Sequence, residues 1–264
     1  MVKKERADKV VLSRGLAESP EKAQALIMAG LVTAGGRKVE KPGELLDTEI
    51  PLAVKGGIPY VSRGGLKLAE ALEAFAVRVA GKVAADLGAS TGGFTDCLLQ
   101  RGARVVYAVD VSTSQLDWRL RRDPRVVPLE KNARYLSVED FPERPDIVTM
   151  DLSFISVLKV LPAVRQFLAD GDVLGLLKPQ FEVGKGQVGK RGVVRNPLQH
   201  EEVLDRLLQG ARELGFGVRC LHGCKVRGQR GNREFFVHWT LTGPSLSPEK
   251  ARELVREVVY GEKD

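Results

Sequence analysis

The sequence is poor in cysteine, histidine and aromatic residues, and it has no long apolar run. Its three cysteines (Cys97, Cys220, Cys224) are too few and odd in number for a disulfide framework, which fits a reducing cytosol. Three histidines leave few partners for any mechanism that needs one as a base. No stretch approaches the ~18 uninterrupted apolar residues of a spanning helix, and the opening M-V-K-K-E-R-A-D-K has no export-signal core. A cytoplasmic protein with no membrane partner is expected.

With 43% hydrophobic and 28% charged residues, the chain can build a core and does not read as disordered. Its 264 residues suggest one large domain plus a small module. The net charge of +7 is more informative by segment. Residues 1–67 hold 12 basic against 8 acidic side chains, residues 178–196 hold 5 against 1, and residues 219–233 hold 5 against none. These excesses together exceed the total, so the rest of the chain is net acidic. Three basic segments, two of them rich in glycine, favour contact with a phosphate backbone.

The first sixty residues show a helix near Ala7–Arg14, then a second capped by Ser19, opened by Pro20 and ended at Gly30. Two short strands around Gly35-Gly36 and a third in T-E-I-P-L-A-V follow, giving a small α+β module over residues 1–59. The run Ser13–Val39 resembles the αL RNA-binding module of a ribosomal small-subunit protein, pseudouridine synthases and tyrosyl-tRNA synthetases. That resemblance implies RNA contacts at Arg14, Lys22, Arg37 and Lys38.

Residues 60–64 read as a linker and 65–264 as the main domain. An amphipathic helix, L-K-L-A-E-A-L-E-A-F, enters it, and strand and helix signals alternate from Val83 to Lys178, with helices near Ser114–Arg122 and Ser156–Leu168. Such alternation predicts an α/β domain, a mostly parallel sheet covered by helices on both faces. After a helix near Pro197–Leu214, two strand-like runs suggest an antiparallel pair at one sheet edge, and a helix capped by Ser247 closes the chain.

The turn A-A-D-L-G-A-S-T-G-G-F-T-D, Ala84–Asp96, follows the first strand of this domain and opens a helix. Glycines there allow close backbone approach to a ligand, and the helix N-terminus offers free N–H groups. A dinucleotide fingerprint lacks its middle glycine, which is Ser90. A hydrolase elbow matches Gly88-Ala-Ser90-Thr-Gly92 but needs a suitably placed histidine. An S-adenosylmethionine-dependent methyltransferase fits Asp86 and Gly88, with Asp110 ending the next strand for the ribose hydroxyls.

Charged residues ending apolar strands mark where such sheets keep their chemistry. Asp151 and Lys178 do so, Glu234 opens the last strand, and Lys67 lies on the entering helix. These four resemble the K-D-K-E tetrad of FtsJ-like ribose 2′-O-methyltransferases. With S-R-G-G-L-K-L, M-D-L-S-F-I-S, L-L-K-P-Q-F-E-V-G and G-N-R-E-F-F, almost the whole chain is similar to the TlyA family. The resemblance implies a Rossmann-like class I methyltransferase sheet and transfer of a methyl group to a cytidine ribose in ribosomal RNA. It further implies S-adenosylmethionine as cofactor and S-adenosylhomocysteine as product.

The cofactor pocket implied comprises Asp86, Gly88, Ala89, Ser90, Gly92, Gly93, Phe94, Asp110, Val111, Asn132 and Ala133. Asn132 departs from an acid common in related enzymes. RNA contacts extend to Arg63, Lys185, Lys190, Arg191 and Arg233. A ribose 2′-OH is a poor nucleophile near neutral pH, so Lys178 is expected as base, or alternatively as an orienting cation, with Lys67 positioning the ribose. Many family members are labelled hemolysin, so the rivals are a non-catalytic assembly factor and a membrane-active protein. No metal is expected, since Cys220-Leu-His222-Gly-Cys224 lacks the matching ligands of a closed site. Trp118 and Trp239 are read as packing residues.

Overall fold

Ser19 and Pro20 start α2 (Pro20–Met28) as their types require. The Ser19 hydroxyl accepts the Lys22 N–H at 3.1 Å, and proline in the first turn sacrifices no hydrogen bond. Gly30 leaves the helix at φ +71°. The computed structural model describes residues 4–17, 19–56, 59–168, 170–184, 188–189 and 192–261. α1 (Ala7–Ser13) packs on α2 through Ala7, Val11, Ala23 and Ile27, in an apolar cluster belonging to this module.

Gly35 and Gly36 both have positive φ and join β2 (Val32–Ala34) to β3 (Arg37–Lys38) as a tight antiparallel hairpin. Of the expected third strand only β5 (Leu52–Val54) pairs, on the other side of β2; Pro51 just before it has no N–H to give. Unforeseen is a separate ribbon of β1 (Lys4–Arg6) against β4 (Leu45–Asp47). Three residues of K-E-R show too little alternation to signal a strand.

α3 (Arg63–Ala74) begins inside the segment expected as linker and leads to a seven-stranded sheet of order β11-β12-β10-β9-β6-β7-β8. The parallel members are β6 (Val83–Leu87), β7 (Val105–Asp110), β8 (Val126–Glu130), β9 (Ile147–Met150) and β10 (Asp172–Leu177). β12 (Phe235–Thr240) runs against β10 and against the outer strand β11 (Gly217–Gly223), which is the antiparallel pair expected at that edge.

Side chains alternate between two cores. Val83, Ala85 and Leu87 face one with α6 (Leu161–Phe167), α8 (Pro197–Glu213) and α9 (Pro248–Tyr260). Ala84, Val106 and Phe236 face the other with α3, α4 (Gly93–Gln100) and α5 (Trp118–Arg121).

Two expected helices are shorter than their patterns. Leu116, with ψ 132°, interrupts Ser114–Arg122, leaving a 3₁₀ turn at Thr113–Gln115 and a four-residue α5 capped by Asp117. Val157–Lys159 is likewise 3₁₀, and α6 starts only at Leu161.

Gly175 on β10 is required by its neighbour: a Cβ there would lie 2.5 Å from the fully buried Trp239 ring. Gly175→Ala should therefore lower stability by about 1–3 kcal/mol through overpacking, read as a shift in urea midpoint at unchanged slope. An unchanged midpoint would show that the ring yields freely.

Candidate active site

The carboxyl ends of the parallel strands lie at one pole of the sheet. Because β12 is reversed, its first residues lie at that same pole, with Phe235 opposite Leu177. Glu234 thereby comes beside Lys178 although 56 residues separate them in the chain. Lys67 on α3 ion-pairs with Glu234 at 2.5 Å, both side chains under a tenth exposed. Lys178 pairs with Asp151 at 2.5 Å and donates to the Ser153 hydroxyl at 3.2 Å. Gln180 donates to the second Glu234 oxygen at 3.4 Å. Pro179 starts the short α7 (Pro179–Glu182), which keeps Lys178 extended at the strand end. All four charged residues line one cavity of about 270 Å³, together with Arg63, Ser90 and Phe154. The charges of the four balance, and Arg63 leaves the lining with one positive charge in excess.

The Gly-rich turn forms the cavity wall. Gly88, at φ +86°, lies so close to the Asp151 carbonyl that a Cβ would approach its oxygen to 2.6 Å. Ser90 is held at φ +50° by the Asp110 carboxylate, which accepts its N–H at 2.9 Å and that of Ser112 at 3.3 Å. A strained non-glycine conformation held by a side-chain hydrogen bond is what functional turns display. Gly93 packs so tightly under the Ser62 hydroxyl that a side chain would overlap it.

A second cavity of about 860 Å³ adjoins the first, sharing Gly88, Ser90, Asp151 and Phe154. Asp110, Val111, Asn132 and Ala133 line it. The Asn132 side-chain oxygen accepts the Arg134 N–H at 3.0 Å, which leaves its amide N–H₂ as the group that can face a ligand. Ala89, Gly93 and Phe94 belong to the smaller cavity, whereas Gly92 packs against Leu116 and Leu120 and lines neither.

Asp86 also lines neither cavity. It is fully buried beneath the turn, one oxygen accepting from Thr95 at 2.7 Å and the other from Thr149 at 3.0 Å. Desolvation raises its carboxyl to about 7 against those hydroxyls. Its position is that of a brace between β6, α4 and β9.

The expected RNA contacts divide. Lys22 and Lys38 point to the module surface, while the exposed Arg14 donates to the Thr48 and Ile50 carbonyls and Arg37 pairs with Glu44. Arg63 lines the smaller cavity and donates to the Met28 sulfur at 3.3 Å, joining the module to the site. Arg233 donates to the Val258 and Val259 carbonyls at 3.0 and 2.8 Å, holding the end of α9. Lys185, Lys190 and Arg191 lie outside the described residues.

The hydrolase reading loses its base. His238 binds Asp172, His222 binds Glu70 and His200 binds the Val194 carbonyl, and none lines either cavity. Among the described residues no three His, Cys, Asp or Glu side chains converge as a metal site.

Sequence reasoning passed over Phe154, Phe181 and Gln180. Phe154 is 89% exposed with φ +64°, its ring 4.8 Å from that of Phe181, at the junction of both cavities. A phenylalanine three residues beyond a strand-end acid, with another three beyond a strand-end lysine, was the available signal.

The raised Asp86 carboxyl has a consequence for stability. Folding favours its protonated form, so this contribution is present below the ordinary value near 4 and is lost as pH rises to about 7. Asp86→Asn should remove that part of the pH dependence when urea midpoints are compared at about pH 5 and about pH 8. An equal loss in the variant would assign the dependence elsewhere.

Two families match the chain: FtsJ-like methyltransferase over residues 60–241 and S4 domain over residues 5–49. The chain is similar to YqxC of Bacillus subtilis, described as a candidate rRNA methyltransferase, with 46% identity across 99% of this chain and 95% of that one. It is 43% identical to the 16S/23S rRNA (cytidine-2′-O)-methyltransferase TlyA of Mycobacterium tuberculosis, over 98% of both chains. Among solved structures it is similar to a candidate hemolysin from Streptococcus thermophilus, with TM-score 0.74 and 43% identity over 98% of this chain and 96% of that one.

Proposed function

The chain belongs to the TlyA family of S-adenosylmethionine-dependent, FtsJ-like methyltransferases with an S4 RNA-binding domain, and we propose that it methylates a cytidine ribose 2′-OH in ribosomal RNA. The observation that carries this reading is the pairing of Lys67 with Glu234 and Lys178 with Asp151 at the lip of the Gly-rich turn.

The larger cavity suits the cofactor. Asp110 would accept from the ribose hydroxyls there, Asn132 would offer an amide N–H₂ to an adenine edge, and Gly88 keeps the wall free of a side chain. Bound S-adenosylmethionine supplies an electrophilic methyl group and leaves as S-adenosylhomocysteine. Asp86 supports the turn from beneath through Thr95 and Thr149. The smaller cavity then receives the nucleotide, its base laid on Phe154 with Phe181 behind. Lys178, after its ammonium has released a proton to solvent, meets the 2′-OH in place of Ser153 and takes its proton as the methyl transfers. Asp151, 2.5 Å from the amine, orients it and stabilises the ammonium that forms. Lys67, locked by Glu234 and indirectly by Gln180, sets the depth at which the ribose stops. Among the described residues no helix is long and apolar enough to cross a membrane.

Incubation with labelled donor and unmodified ribosomal subunits, followed by mapping of modified nucleotides, tests the activity; no incorporation into either subunit's RNA refutes it. In single-turnover reactions across pH, Lys178→Ala should slow transfer roughly hundredfold or more. Lys178→Arg should be as slow, because guanidinium cannot accept the proton; near-normal rates with Arg would make Lys178 an orienting cation. Phe154→Ala should raise KM for the subunits about tenfold with little change in donor affinity. Loss of donor affinity instead would make the Phe154 ring a support of the cofactor and not of the base.

A further inference from the structure

One aromatic group near the site is left unused by this reading. Trp118, expected to pack, is 57% exposed at the start of α5, whereas Trp239 is fully buried. The Arg122 guanidinium lies over the Trp118 ring, 5.3 Å from its centroid. Arg119 and Arg125 are neutralised by Asp117 and Asp123, but among the described residues no carboxylate ion-pairs with Arg121 or Arg122. The patch is fastened to the catalytic turn: the Asp117 N–H donates to the Thr91 carbonyl at 3.2 Å, and Leu116 and Leu120 press on Gly92. Thr91 lines the smaller cavity, and Trp118 itself lines neither cavity.

A large indole left in water beside a turn that borders a polar cavity gives up the burial such a ring normally gains. The Arg122 guanidinium on the ring and the exposed Arg121 one helical turn from it supply what an unpaired nucleotide needs, since a base stacks on the free face of the ring and its phosphate meets the cations. We propose that Trp118, Arg121 and Arg122 form a stacking platform for an unpaired nucleotide adjoining the one that is methylated. This rests on RNA being the substrate, and it adds a contact outside the three basic segments and the S4 domain. A flipped target leaves its neighbours unstacked, and the platform offers one of them a replacement surface. The ring face selects a base of any identity, so it contributes affinity and register more than sequence choice.

The test uses the full chain and purified ribosomal subunits. Trp118→Ala should raise KM for the subunits about fivefold or more at unchanged kcat and unchanged S-adenosylmethionine affinity by calorimetry, and Trp118→Phe should restore most of the loss. Arg121→Gln combined with Arg122→Gln should weaken co-sedimentation with subunits and flatten its salt dependence. Wild-type KM in Trp118→Ala overturns the platform, as does a loss confined to kcat or donor affinity that Phe fails to rescue. A lowered melting temperature in both Trp118 variants with KM unchanged would make the ring structural. If the wild type methylates no RNA, the reaction assigned above fails, while co-sedimentation of Trp118→Ala against wild type still decides whether the platform binds RNA.

Discussion

The buried ion pair between Lys67 and Glu234 is the constraint on which the site depends. It joins α3, the first helix of the methyltransferase domain, to β12, the only reversed strand of the seven-stranded sheet. Removing two charges from water is costly, and loss of one partner alone typically costs about 3–5 kcal/mol because the other is left uncompensated. Such a pair is weak evidence of stability but strong evidence of a fixed geometry. Further along the same helix, Glu70 accepts from His222 at 2.7 Å and from the Lys225 N–H, so α3 is stapled to the β11–β12 edge at two heights. The S4 domain enters through the start of this helix, where Arg63 touches both Met28 and the cavity. That contact ties the module to the lining of the smaller cavity.

Around that pair the carboxylates have separate duties, set by burial. Asp86 is dry, satisfied by two threonines and raised toward neutrality, and it supports the turn. Asp110 is half open, shapes the turn through backbone N–H groups and still borders the larger cavity. Asp151 faces the smaller cavity and is matched to a lysine. Three acids at three strand ends thus differ in role because they differ in access to water and in partner.

The basic excess is likewise divided. Arg14, Arg37 and Arg233 spend donors on carbonyls or on a glutamate within the fold, so their charge is part of the scaffold as well as the surface. Arg121 and Arg122 lie outside the three basic segments, in a stretch whose acids offset them in any segment count. Net charge by segment locates strong excess and misses a small patch whose neighbours are neutralised pair by pair.

Much of the fold was legible in the chain because its cues are local. Ser19-Pro20, Gly35-Gly36 and Ser247 act on backbone groups a few residues away, and the apolar runs of β6, β7, β9 and β10 announce strands buried on both faces. The four charged residues and the Gly-rich turn could be named from motif and strand-end position. Tertiary structure alone decided which were within reach of which. The reversal of β12 brings Glu234 to Lys67, the fit of Thr95 and Thr149 closes off Asp86, and the carbonyl ends of α9 occupy Arg233. It also decided that Phe154 and Trp118 stay in water. Period and cap are properties of neighbouring residues, whereas burial and pairing are properties of whatever the fold brings from far along the chain.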